Sequence, residues 1–66
     1  MLNNRLEFTS VKITEGELSG AYRVSAWRGM EYLGNETFLY YTKREALRVA
    51  REKVLSSGGL GIYSRS

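Results

Sequence analysis

The sequence predicts an α+β fold: a small three-stranded antiparallel sheet packed on one C-terminal helix, in the order βββα. Three observations predict it. Apolar and polar residues alternate along 21–27, which suits a half-buried strand. Arg28-Gly29-Met30 then reads as a turn between that run and another aromatic-rich one. Finally, Thr42-Lys43-Arg44-Glu45 opens a stretch whose apolar residues recur at helical spacing.

The first strand is expected over roughly 5–13. Leu6 and Phe8 lie in one alternation frame, Val11 and Ile13 in the other. Side chains of a strand repeat every two residues, so a change of frame calls for an inserted residue, and a bulge is expected near Thr9-Ser10. Residues 14–20 form a polar loop containing Gly16 and Gly20. The second strand, 21–27, directs Tyr22, Val24 and Ala26 to one face and Arg23, Ser25 and Trp27 to the other. Gly34-Asn35 competes with Arg28-Gly29-Met30 as a hairpin turn and is read as a bulge within a third strand over 31–41. Phe38 and Tyr40 then share one face of that strand, and Thr37, Leu39 and Tyr41 the other.

The helix carries the clearest local signal. The Thr42 hydroxyl can accept from the amide three residues on, and Glu45 can reach back to the Thr42 amide. Tyr41 and Ala46 stand at hydrophobic-staple positions, and Ala46, Leu47, Ala50 and Val54 form a narrow apolar stripe. The two alanines would let the helix lie close on a sheet. Ser56-Ser57-Gly58-Gly59 ends it, with glycine supplying the left-handed cap. Beyond, 60–63 alternates and reads either as a short fourth strand or as part of a flexible tail over 58–66.

With 66 residues, the chain is one domain spanning 1–66. Below about 70–80 residues a single core gives little net stability, so small domains rely on staples. The chain has no cysteine and no histidine, which removes disulfides and the usual zinc ligands. Stability must come from packing, capping or self-association. The absence of Asp, with all seven acidic residues being Glu, also removes Asp-led calcium loops and Ser-His-Asp catalysis. No cofactor and no enzymatic activity are expected. No apolar run nears the roughly 18 residues that span a bilayer, and Met1-Leu2-Asn3-Asn4-Arg5 lacks a signal-peptide core, so a cytoplasmic protein without membrane contact is expected.

The formal charge of +3 is unevenly spread: 1–41 hold four basic and five acidic groups, 42–66 six basic and two acidic. Arg44, Arg48 and Arg51 form one stripe away from the alanine face, able to grip phosphates or carboxylates. The plain alternative is a solvated helix face, with Glu45 and Glu52 as local counter-charges. A second candidate surface is the sheet face opposite the helix. If Tyr22, Val24 and Ala26 point inward, then Arg23, Ser25 and Trp27 are bare, with Leu39 and Tyr41 as candidates to join them. Aromatic area with a directed guanidinium suits recognition. The opposite assignment, with Trp27 in the core, stays open at this point.

Tyr22-x-Val24-x-x-Trp27, followed by Thr37-Phe38 and Thr42-Lys43-x-Glu45-Ala46, resembles the amino-terminal arm-site DNA-binding modules of tyrosine recombinases. Those are AP2-like domains, three-stranded sheets backed by a helix. The resemblance covers about half the chain and implies a sheet lying in the major groove, with Arg23, Ser25 and Trp27 facing DNA and Thr37 beside them. The expected function is a small non-catalytic nucleic-acid-binding module using the sheet face and the arginine stripe. The alternative is an adaptor or inhibitor that docks a protein partner on the same face or on an edge strand.

Overall fold

The computed structural model describes residues 5–61. Strands β1 (Leu6–Lys12), β2 (Tyr22–Arg28) and β3 (Glu31–Phe38) precede a single helix, α1 (Lys43–Ser57). The sheet is antiparallel with spatial order β1-β2-β3, so β2 is central, and α1 packs across one face, chiefly over β2. This is the βββα architecture that the alternation and capping predict.

β1 pairs with β2 without interruption, from Leu6 opposite Arg28 to Lys12 opposite Tyr22. The bulge expected at Thr9-Ser10 is therefore absent. A regular strand keeps Leu6 and Phe8 toward the helix and turns Val11 outward, 64% exposed. The change of frame is tolerated because none of the described elements covers the face that Val11 joins. Ile13 lies just past the strand, where its amide donates to the Ala21 carbonyl at 2.9 Å and its carbonyl accepts from Gly20 at 2.7 Å, closing the loop.

The β2–β3 connection is a tight hairpin in which Arg28 opposes Glu31, leaving Gly29-Met30 as the two-residue turn. Gly29 has φ 60°, the positive value that tight hairpins with a leading glycine require. The bulge expected in β3 is present one residue earlier than expected. Register passes from Trp27 opposite Tyr32 to Ser25 opposite Asn35, so Leu33 and Gly34 together face Ala26. Leu33 is thereby buried at 6% exposure.

β3 stops at Phe38 rather than continuing to residue 41. Leu39-Tyr40 turn the chain, and Tyr40 takes a left-handed φ of 64°, an uncommon value for a bulky residue. Phe38 is buried while Tyr40 is 98% exposed, so the two do not share a face. Tyr41 packs edge-on against Phe38, with ring centroids 5.6 Å apart, which sets it on the helix side instead of the open face. Beyond the turn, Thr42 is extended (φ −78°, ψ 166°), the conformation in which its hydroxyl can cap the helix. Both halves of the capping box form. The Glu45 amide donates to Thr42 Oγ1, and the Thr42 amide to Glu45 Oε1, each at 3.1 Å.

The core lies between α1 and the sheet. Val24, Ala26, Leu33 and Phe38 meet Ala46, Ala50, Val54 and Leu60, while Leu6, Phe8, Tyr22, Leu47 and Val49 pack around them half-buried. After the left-handed cap at Gly58, the chain folds back so that Leu60 is fully buried and its amide donates to the Leu33 carbonyl at 2.8 Å. Of the fourth strand expected at 60–63, one isolated parallel bridge exists, Leu60 to Gly34; 62–63 lie outside the described residues. A Cβ at Gly61 would come within 1.8 Å of the Asn35 carbonyl oxygen, so only glycine fits this return path. Glu36 points inward opposite Val24, forms an ion pair with Lys53 of α1, and accepts the Gly61 amide at 3.1 Å. Among the described residues no buried side-chain polar atom lacks a partner.

Candidate functional site

The open face of the sheet is organised as three cross-strand rows. Glu7, Trp27 and Tyr32 form the first; Thr9, Ser25 and Asn35 the second; Val11, Arg23 and Thr37 the third. Their common orientation follows from strand geometry. Tyr22, Val24 and Ala26 are drawn under the helix, and the period of two sends the residues between them to the other side. With strands about 4.8 Å apart, the outer two are separated by roughly 10 Å.

Trp27 and Tyr32 are only partly exposed, at 37% and 48%, because each covers the other. Their rings stand 4.7 Å apart at 53°, a tilted aromatic pair. Asn35 Nδ2 donates to Tyr32 Oη at 2.6 Å and so holds the ring from the adjoining row. Trp27 is thus a surface residue, and the assignment that put it in the core is excluded. Arg23 makes no ion pair among the described residues, and it stands between Val11 and Thr37 in the third row. The face therefore offers one guanidinium, three hydroxyls from Thr9, Ser25 and Thr37, the Asn35 amide and a two-ring aromatic patch. Glu7 is its one acidic group.

Arg44, Arg48 and Arg51 are all exposed, but they lie in the other layer. The buried stripe Ala46, Ala50 and Val54 seats α1 on the inner face, so residues on the far side of the helix point away from the sheet. Arg48 sits 3.6 Å from Glu52, both about two-thirds exposed, a surface pair of small energetic weight. The structure brings Arg23, Ser25, Trp27 and Thr37 together. It separates them from Arg44, Arg48 and Arg51 by the thickness of the domain.

Five members of the open face escaped the sequence reading as site residues: Glu7, Thr9, Val11, Tyr32 and Asn35. The signal for the last two was the glycine bulge. An extra residue at Leu33-Gly34 puts Tyr32 and Asn35, three apart, on one face, whereas simple alternation separates them.

Among the described residues no group of three or more His, Cys, Asp or Glu side chains forms a metal site, and no helix is long and apolar enough to cross a membrane. No protein-family model, curated protein or solved structure matches the chain.

Proposed function

We propose that the domain is a small, non-catalytic, cytoplasmic nucleic-acid-binding module and that the open sheet face is its contact surface. One observation carries the reading: Arg23, Ser25, Trp27 and Thr37 share with Tyr32 and Asn35 a single face that none of the described elements covers. Arginine and Asn are the side chains best shaped for base edges, hydroxyls serve phosphate oxygens, and exposed rings accept stacked or splayed bases. A sheet about 10 Å across its outer strands is also compatible with a major groove about 12 Å wide. The resemblance to arm-site modules implies the same face. Arg44, Arg48 and Arg51, in the opposite layer, would act on a nucleic acid only through its long-range field or by holding a second segment.

A second reading has its own observation. The open face sets one Arg against one Glu, so its charge is balanced where a phosphate-binding face would be basic. Val11, Trp27 and Tyr32 would then form the apolar centre of a protein-docking surface.

Trp27 is the only tryptophan, so its fluorescence reports this surface alone. Free protein should emit at long wavelength and be quenched by acrylamide. Adding duplex or single-stranded oligonucleotide at low salt should shift or quench the emission, and raising the salt should reverse it, because each neutralised phosphate releases counterions. Arg23→Ala should weaken the response. Emission unchanged by every oligonucleotide at low salt would defeat the nucleic-acid reading and leave the protein-docking one standing.

A further inference from the structure

The two edges of the sheet differ. β3 is protected: the Leu33-Gly34 bulge breaks its regularity, Glu36 turns a charge inward, and Leu60 occupies the Leu33 carbonyl. These are devices that stop an edge from recruiting another strand. β1 has none of them over its middle. It is a regular seven-residue strand with no bulge, no proline and an uncharged centre, Phe8-Thr9-Ser10-Val11.

The direction of its free backbone groups follows from two hydrogen bonds. The Ile13 amide reaches Ala21 and the Arg5 carbonyl accepts from Gly29, so odd-numbered residues of this unbroken strand aim their backbone groups at β2. Even-numbered ones, Leu6, Phe8, Ser10 and Lys12, aim theirs outward, at an edge that no other described strand pairs with.

We propose that this edge pairs with the same edge of a second copy of the chain, antiparallel, about a two-fold axis through Thr9. Only this register gives all seven residues of β1 a partner, since Thr9 is the strand's midpoint. It opposes Leu6 to Lys12, Glu7 to Val11, Phe8 to Ser10 and Thr9 to Thr9. No like charges meet, the two Phe8 rings become diagonal neighbours, and the central pair is Thr–Thr, a favourable cross-strand combination. Shifting the axis two residues toward the strand's start, to Glu7, would oppose Glu7 to Glu7. Half-buried Phe8, at the margin of one core, would gain an apolar neighbour from the second. The product is a closed, isologous dimer with a continuous six-stranded sheet. Both helices lie on one side, and both Trp27 faces on the other. The inference is independent of what those faces bind, and its test uses protein alone.

The chain lacks cysteine, so a single introduced thiol reports one contact. Thr9 opposes its own copy as a non-hydrogen-bonded pair with Cα atoms about 4.5 Å apart, within disulfide range. Thr9→Cys should therefore oxidise to a linked dimer, whereas Val11→Cys, opposite Glu7, should not. Sedimentation should give the mass of two chains, and the Phe8 and Ser10 amides should exchange slowly with solvent. Ser10→Pro, which removes an outward-facing donor, and Thr9→Lys, which sets like charges across the axis, should each halve the mass while circular dichroism stays unchanged. A monomer at millimolar concentration with fast exchange at Phe8 and Ser10 overturns the proposal. So does a dimer that survives both Ser10→Pro and Thr9→Lys, because its interface must then lie elsewhere.

Discussion

The two faces of the sheet are built from alternate residues of the same strands, and they follow different rules. Beneath α1, β2 presents Val24 and Ala26, both fully buried, and the opposing helix residues Ala46 and Ala50 are equally small. Close approach of backbone to backbone shapes that face, and side-chain volume is rationed. One residue along in each case, β2 presents Arg23, Ser25 and Trp27 to solvent. There the selection is for hydrogen-bonding range and exposed ring area. Packing explains the first set of residues but leaves the second without a structural reason, which is why the open face is the place to look for function.

The comparison breaks most readily at Leu60. It is fully buried at the end of the covered core, and Leu60→Ala should cost about 2–5 kcal/mol. In a domain this small that is enough to unfold much of the population at ambient temperature. Trp27 is the larger side chain, yet Trp27→Ser should cost only about 1 kcal/mol, mainly the lost ring pair with Tyr32. Urea melts of both variants check the contrast, and equal losses would mean that the open face is structural. Next in size is Thr42→Ala. It removes the hydroxyl that caps the Glu45 amide and should cost about 1 kcal/mol, read as a lower melting temperature. An unchanged melt would mean that the helix is held by its packed face alone. Smallest is the joint change of Arg44, Arg48 and Arg51 to Glu. These side chains are exposed, and stability should move by no more than about 0.5 kcal/mol in all. Collapse of the fold in that variant would mean that the outer layer contributes packing after all.

What the sequence made legible was local. The capping box, the alanine stripe and the glycine cap each depend on residues within a turn or two of one another, and all three stand as read. The two faces of β2 were legible because nothing interrupts its alternation. The errors arose where a distant element decides. Val11 looks like a core residue until one knows that the described elements leave its side of the sheet bare. Residues 39–41 continue a strand pattern, but the chain turns at Leu39-Tyr40 on its way to the helix. Leu60 sits among glycines, in an alternation too short to tell a strand from a tail, and its burial depends on a return of the chain to Leu33 that exists only in the folded domain. The candidate site was half legible for the same reason. Its β2 members follow from alternation, whereas Tyr32 and Asn35 become neighbours only through the position of a bulge.

Glu36 has a consequence for the order in which the chain assembles. Its carboxylate joins β3 to Lys53, 17 residues on, and to the amide of Gly61, 25 residues on. Neither bond can form until the helix has docked and the chain has turned back past its cap, so both are expected to form late in folding. Interactions missing from the transition state leave the folding rate alone and slow the reverse reaction. In stopped-flow experiments Glu36→Gln should accelerate unfolding while refolding keeps its native rate. The carboxylate then acts as a latch, setting how long the assembled domain persists rather than how quickly it is reached.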